Sequence, residues 1–261
     1  MRRMVRTSLS VKYEGSTLGY MWAVLEPLLM TVVYWAVFGV IGRLGRVQPF
    51  PPYILSGLIA WQWMTSSFTG SMKSLRGNSK LISKVGDMPR EIYPLTLVLT
   101  KGVEVLITFS VLVPIAFIFG LRPGRNMVVL PLALLLQLML LMGLSLGLSA
   151  GNTLLRDLER VTRPVIRAWF YLSPVLYPMV VLDEQVGPTV SLLYRLNPMT
   201  GILTIHRGAW TGWTRAQEGG GLVDQWDSWV TVGYSAIGCT LILVIGYLLF
   251  SRLEPKVLKE L

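Results

Sequence analysis

Cysteine and histidine are nearly absent: Cys239 and His206 are single copies in 261 residues. One cysteine excludes an internal disulfide and any cysteine-based metal site, and one histidine excludes a multi-histidine site. Acidic residues are scarce as well, 14 against 24 Lys and Arg. The chain has no glycine-rich phosphate loop ending in Lys-Ser/Thr, no nucleophile elbow, no metal-ligand spacing and no DxD-type carboxylate pair. It is therefore expected to be no enzyme and to hold no cofactor or metal. Any uphill work must draw its energy from another protein.

What is present is apolar sequence. Hydrophobic residues make up 52% of the chain, charged residues 15%, and the mean hydropathy is +0.56, a balance rare in soluble domains. Six apolar stretches lie near 21–42, 53–72, 95–120, 127–151, 164–182 and 229–250. About 20 such residues span a bilayer core as a helix. Their connectors alternate in charge. Those before span 1, between 2 and 3, between 4 and 5, and after 6 carry sixteen Lys or Arg, and the other three carry seven. The positive-inside rule then places both termini in the cytoplasm. The predicted fold is an all-α integral membrane protein of six transmembrane helices, one transmembrane domain over 1–261. A net charge of +10 would suggest nucleic acid in a soluble chain; here the surplus sits in inner connectors, facing anionic lipid. The basic start and long first run, broken by Glu26-Pro27, read as a retained span, not a cleaved signal peptide.

The connectors carry further structure. Residues 2–13 form an imperfect basic amphipathic helix, with Arg2, Arg3, Arg6 and Lys12 beside an apolar arc. Such a segment either lies in the membrane interface or supplies flanking charge. The loop from Lys73 to Pro94 holds a short predicted helix begun by Asn78-Ser79 and stopped by Pro89, with Leu81, Ile82 and Val85 as its apolar edge. The outer connector 183–227 alternates apolar residues with breakers at Asn197-Pro198 and Gly201. It predicts short re-entrant helices dipping into the outer leaflet.

Two groups of side chains are candidates for function. Glu26 and the Lys101/Glu104 pair are ionisable groups in or near spans. Lys101 and Glu104, three apart, can pair on one helix face, structurally or as part of a pathway. The second group is drawn from 27 aromatics, nine of them Trp. Tyr34, Trp35 and Phe38 lie in span 1, Trp61, Trp63 and Phe68 in span 2, and Trp169, Phe170, Tyr171 and Tyr177 in span 5. Headgroup anchoring accounts for many membrane aromatics, but Trp61, Trp63 and Phe68 fall near mid-span. Aromatic faces stack on the apolar faces of sugar rings, so a pore lined this way suits a sliding polymer.

Motifs spread along the chain add a resemblance. They are Leu18-Gly19-x-x-Trp22-x-x-Leu25-x-Pro27, Gly57-Leu58-Ile59-x-Trp61, and Asn78-x-x-Leu81-Ile82-x-Lys84-x-x-x-x-Pro89-Arg90. Arg156-Asp157, Ser173-Pro174-Val175-x-Tyr177-Pro178, Leu196-Asn197-Pro198-Met199-Thr200 and Phe250-x-Arg252-Leu253-Glu254-Pro255 follow in order. In this combination the chain resembles the membrane subunit of bacterial polysaccharide ABC exporters, the ABC-2 permease family. Gly86-Asp87-Met88 departs from it, since relatives often have an apolar or aromatic residue before the loop proline.

The resemblance implies a homodimer in the inner membrane, partnered by two copies of a cytosolic ATPase that binds ATP and Mg. Asn78, Leu81, Lys84, Pro89 and Arg90 would couple the two. The substrate would be a polyprenyl-diphosphate-linked glycan, its head met by Arg2, Arg3, Arg6 and Lys12. The glycan would pass a channel of Tyr34, Trp35, Phe38, Trp61, Trp63, Phe68, Trp169, Tyr171 and Tyr177. Asn197 and Pro198 would close its outer end. Other readings are an ABC-2 permease for a small amphipathic drug or lipid, and a secondary transporter or channel without an ATPase. A membrane enzyme or scaffold is disfavoured by the missing catalytic groups.

Overall fold

The computed structural model describes residues 4–5, 21–41, 50–84, 89–121, 125–155, 157–177, 179, 182, 187–211 and 225–260. Among them there is no strand. The helices are α1 Met21–Tyr34, running on as a π-helical stretch Trp35–Ile41; α2 Phe50–Gly77; α3 Ser79–Lys84; and α4 Ile92–Ile118. A 3₁₀ turn, Arg125–Val129, leads into α5 Leu130–Leu154, followed by α6 Leu158–Tyr171, α7 Pro188–Leu196, α8 Pro198–Thr211 and α9 Gln225–Glu260.

Among the described residues, three segments are long and apolar enough to cross a membrane: Ile92–Ile118, Met127–Leu154 and Trp229–Glu260. A 27-residue helix such as α4 is about 40 Å long at 1.5 Å per residue. α4 ends where Gly120 takes φ +77°. Its N–H donates to Phe117 O at 3.0 Å and Leu121 N–H to Ala116 O at 2.9 Å, a double cap that glycine permits.

α2 is the hub. It packs against α1, α4, α5 and α8, and 19 of its 28 residues are buried. A helix walled by other helices can carry polar residues that a lipid-facing one cannot, which is why α2 is less apolar than α1, α4 and α5. α5 and α9 approach most closely through Gly143 and Gly246, where a Cβ on either would run into the other's backbone. Small residues at such crossings let membrane helices pack without a hydrophobic drive between them.

The fifth stretch differs from its prediction. The helix is α6, 158–171, not 164–182. At 172–177 the chain turns, with Val175 N–H bonded to Ser173 O at 2.7 Å. Pro174 lacks the N–H that a continuing helix needs. α6 has 14 residues, and Glu159, Arg160, Arg163 and Arg167 give it a charged side. The second apolar stretch lies in a helix longer than 53–72, running 50–77, and the sixth continues past 250 to 260 within α9. α3 forms after Asn78, whose carbonyl accepts from Leu81 and Ile82 N–H at 2.9 Å. α7 and α8 occupy the long connector before α9 as short helices. Of the N-terminal segment, Met4 and Val5 are helical. Arg2, Arg3, Arg6, Lys12 and Gly86-Asp87-Met88 lie outside the described residues.

Candidate functional site

α2 is apolar around most of its circumference, but Gln62, Thr65, Ser66 and Thr69 share one face. The hydroxyls donate back to carbonyls one turn earlier, Ser66 to Gln62 O at 2.6 Å and Thr69 to Thr65 O at 2.8 Å. Thr65 reaches Trp61 O and Gln62 O, both at 3.2 Å. The stripe therefore uses its own protons internally and turns oxygen lone pairs outward.

Two cavities open along this face. One, about 480 Å³, lies between α1, α2 and α4 and is edged by Trp22, Glu26, Thr65, Thr69, Lys101 and Glu104. The other, about 400 Å³, lies between α1, α2 and α6 and is edged by Glu26, Tyr34, Trp61, Arg167, Phe170 and Tyr171. Glu26, Gln62 and Thr65 border both. Gln62 Nε2 donates to Glu26 Oε2 at 3.1 Å across the boundary. Lys101 Nζ contacts both oxygens of Glu104, at 2.9 and 3.0 Å.

Aromatic rings crowd the α1–α2–α6 cavity. Trp61 meets Phe170 edge-on at 5.3 Å and Trp169 at 6.2 Å. Tyr34 lies 6.1 Å from both Phe170 and Phe38. Edge-on arrangements of this kind hold rings firmly while leaving some faces clear. The cavity therefore combines apolar ring surface with Gln62, Glu26 and Arg167 as hydrogen-bonding groups.

The predicted aromatics separate into distinct positions. Tyr34, Trp61 and Tyr171 border the aromatic cavity. Trp63 is buried against Gly102, donates from Nε1 to Val98 O at 3.2 Å, and borders the other cavity. Phe68 is core, Trp35 is exposed, and Phe38 packs behind Tyr34. Trp169 sits behind Trp61, and Tyr177 donates to Tyr171 O at 2.7 Å. Phe170 is among the candidate aromatics of span 5 though not in the expected channel set, whereas Arg167 and the hydroxyl stripe were not among the predicted site residues. The stripe's i, i+3, i+4, i+7 spacing was the signal that could have found it.

Asn197 joins the α7–α8 connector to α6 and the turn after it. Its Oδ1 accepts from Trp169 Nε1 and from Met199 N–H, both at 3.1 Å. Its Nδ2 donates to Ser173 Oγ at 2.9 Å, and Pro198 opens α8 directly behind it. About two and a half turns along α8, Arg207 is buried. It donates to Pro174 O at 2.6 Å and to Val175 O, and its guanidinium stacks 3.9 Å over Tyr53. Gly57 makes room for it, since a Cβ there would meet the guanidinium at 2.9 Å. Beside it, Gln137 donates to Ala60 O at 2.6 Å and pairs with His206 Nε2 at 3.0 Å, linking α2, α5 and α8.

On the opposite end, Leu81 and Lys84 are exposed on α3 while Ile82 is buried. Asn78 Nδ2 donates to Ser74 O at 2.7 Å. Pro89 is exposed, and Arg90 meets Glu254 of α9 at 3.4 Å. A second apolar cluster unites Leu75, Ile82, Tyr93, Leu146, Phe250 and Val257, with Met4 packed on it. Glu159, at the start of α6, takes Arg163 at 2.7 Å and Lys73 at 3.0 Å. These cations hold its carboxyl below the usual carboxylate range.

The described residues form a helical bundle with long apolar spans and an internal polar face, the framework of an integral membrane protein, and hold no cluster of His, Cys, Asp or Glu that could ligate a metal. The ABC-2 type transporter model matches residues 1–209, and the chain belongs to that family. It is a multi-pass integral membrane protein of the bacterial inner membrane. It is 32% identical over 196 residues to an O-antigen export system permease protein RfbA of Klebsiella pneumoniae, covering 75% of this chain and 73% of that one. The RfbA permease of Myxococcus xanthus is 29% identical over 204 residues, covering 78% and 77%. The polysialic acid transport protein KpsM of Escherichia coli is 25% identical over 215 residues, covering 79% and 78%.

Proposed function

We propose that this chain is the channel-forming subunit of an ATP-driven exporter that moves a polyprenyl-diphosphate-linked polysaccharide out of the cytoplasm, for assembly of the cell envelope. The observation that carries this reading is the aromatic cavity of Tyr34, Trp61, Phe170 and Tyr171, flanked by Glu26, Gln62 and Arg167. Ring surfaces let sugar units slide, and the polar groups replace water around their hydroxyls without holding any unit tightly. The names of the relatives, an O-antigen export permease and a polysialic acid transport protein, point the same way.

The working unit is a homodimer. Glu26 and Arg167 edge an open-sided cavity, and ionisable groups at membrane depth call for protein or water cover. A second copy facing α1 and α6 supplies that cover and completes the channel from spans 1, 2 and 5. The six-span topology with both termini cytoplasmic belongs to this reading, with α6 from Pro164 onward and the turn after it as the fifth crossing. Two copies of a cytosolic ATPase bind ATP and Mg and dock on α3, where Leu81 and Lys84 are exposed. Arg2, Arg3, Arg6 and Lys12 receive the anionic head of the substrate. Asn197-Pro198 forms the outer closure, and Lys101–Glu104 acts as a structural ion pair. The chain is read as one transmembrane domain.

Depleting the protein from its own cells and measuring lipid-linked glycans by mass spectrometry tests this. Accumulation of a polyprenyl-linked polymer on the cytoplasmic side is expected. An unchanged pool would replace the proposal with export of a small amphipathic drug or lipid.

A further inference from the structure

The cavity between α1, α2 and α4 has no part in the aromatic pathway, yet it is the larger of the two, about 480 Å³. Its lining has a definite chemical bias. The protons of Thr65, Ser66 and Thr69 are used on backbone carbonyls within α2, so their oxygens face the space as acceptors. Glu26 adds a carboxylate from α1. On α4, Lys101 is held against Glu104 at 2.9 Å. Two carboxylates against one ammonium leave a formal negative charge on the lining. Trp22, half exposed, stands at the rim and Trp63 at the back.

Such a surface repels phosphate and carboxylate. It suits a ligand that donates many hydrogen bonds, carries no negative charge and has an apolar face to lay on an indole. A neutral or amine-bearing sugar ring has all three properties. The volume falls within the ordinary range of ligand pockets, roughly 300–1,000 Å³. We propose that this cavity is a second sugar-binding subsite, inside one protomer, that holds a short uncharged stretch of the glycan beside α1. The proposal rests on the export reading above. It separates the chain from its anionic end, because the diphosphate is excluded from the cavity that takes the rings. The Gln62–Glu26 bond at 3.1 Å stands between the two cavities, so a ring leaving one side enters hydrogen-bonding reach of the other.

Photo-crosslinking in cells that make the glycan tests this with the intact permease and its ATPase. Trp22→p-benzoylphenylalanine keeps an aromatic side chain of similar bulk at the rim, and Thr69→p-benzoylphenylalanine samples the opposite wall. Leu106, exposed outward on α4, carries the same group as a lipid-facing control, and Tyr34 carries it in the aromatic cavity. Mass spectrometry is expected to find sugar-bearing adducts at positions 22, 69 and 34 and phospholipid adducts at 106. Phospholipid alone at 22 and 69, with sugar at 34, would overturn the subsite and leave glycan export standing. Sugar at none of the three would overturn both. A ladder of sugar increments identifies the exported chain. A single sugar on diacylglycerol identifies a membrane glycolipid and removes the cavity from the export path. As a second readout, Ser66→Ala with Thr69→Val removes two acceptors. It should lower export roughly fivefold at an unchanged amount of assembled complex; unaltered export counts against the subsite.

Discussion

Arg90 and Glu254 meet at 3.4 Å although 164 positions separate them in the chain. The first follows Pro89 at the end of the loop between α2 and α4, and the second lies in the tail of α9. Around them Ile82, Tyr93, Phe250 and Val257 form one apolar cluster. The tail of α9 thus braces the loop that bears the exposed Leu81 and Lys84. α3 is thereby packed onto both α4 and α9.

Charge exchange tests the brace. A partly exposed pair contributes about 0.5 kcal/mol to stability, so Arg90→Glu should leave the protein folded in detergent. It should nevertheless lower permease-stimulated ATP hydrolysis, and Arg90→Glu with Glu254→Arg should recover most of it. Lys84→Glu with Arg90→Glu is expected to abolish stimulation. Normal hydrolysis rates in that double variant would remove the loop from coupling.

Trp61 and Trp63, two residues apart, should respond differently. Trp63 is packed against Gly102 and bonded to Val98 O at 3.2 Å. Trp63→Ala is therefore a core truncation costing about 3–5 kcal/mol, visible as a lower unfolding temperature. Trp61 borders the aromatic cavity. Trp61→Ala should lower glycan export by a larger factor than its loss of stability explains, and equal losses of both would return Trp61 to ordinary packing.

Arg207 secures the turn after α6 through Pro174 O and Val175 O. Arg207→Met removes the donors and strands buried carbonyls, at about 1–3 kcal/mol each. Arg207→Lys should rescue little, because an ammonium has no planar fork and stacks poorly on Tyr53. Thermal unfolding of the purified variants in one detergent reads this directly.

Glu159 gives a pH dependence of known sign. Arg163 and Lys73 lower its carboxyl in the folded protein. Its stabilising contribution is complete above the ordinary carboxylate value, about 4.3, and is lost as pH falls below that through the lowered folded value. Glu159→Gln should flatten the unfolding temperature between about pH 5 and pH 3 relative to wild type. An unchanged slope would show that the cations do not act on this carboxyl.

Much of the bundle could be read in advance because its signals are local. α4, α5 and α9 are long apolar runs, and Asn78, Asn197 and Pro198 are helix-start residues wherever they fall. The pairing of Lys101 with Glu104 follows from three-residue spacing on one helix. The fifth stretch could not be placed this way. Apolar residues continue from Trp169 through Tyr177, so hydropathy runs on where the helix hydrogen bonds have stopped at Pro174.

The residue order alone settles that this chain is helical and membrane-embedded. Run length and charge asymmetry are properties that no folding can change. The tertiary structure decides which side chains share a space. That α2 is the walled central helix, with a hydroxyl stripe open to two cavities, depends on which helices surround it. So does the division of labour between Trp61 and Trp63, neighbours in sequence that one hundred degrees per residue sends to different partners. Arg207 looks like an ordinary outer-loop cation until the fold brings Pro174, Val175 and Tyr53 to it. Arg90 and Glu254 likewise meet only because helices far apart in sequence pack side by side, a relationship that no local spacing encodes.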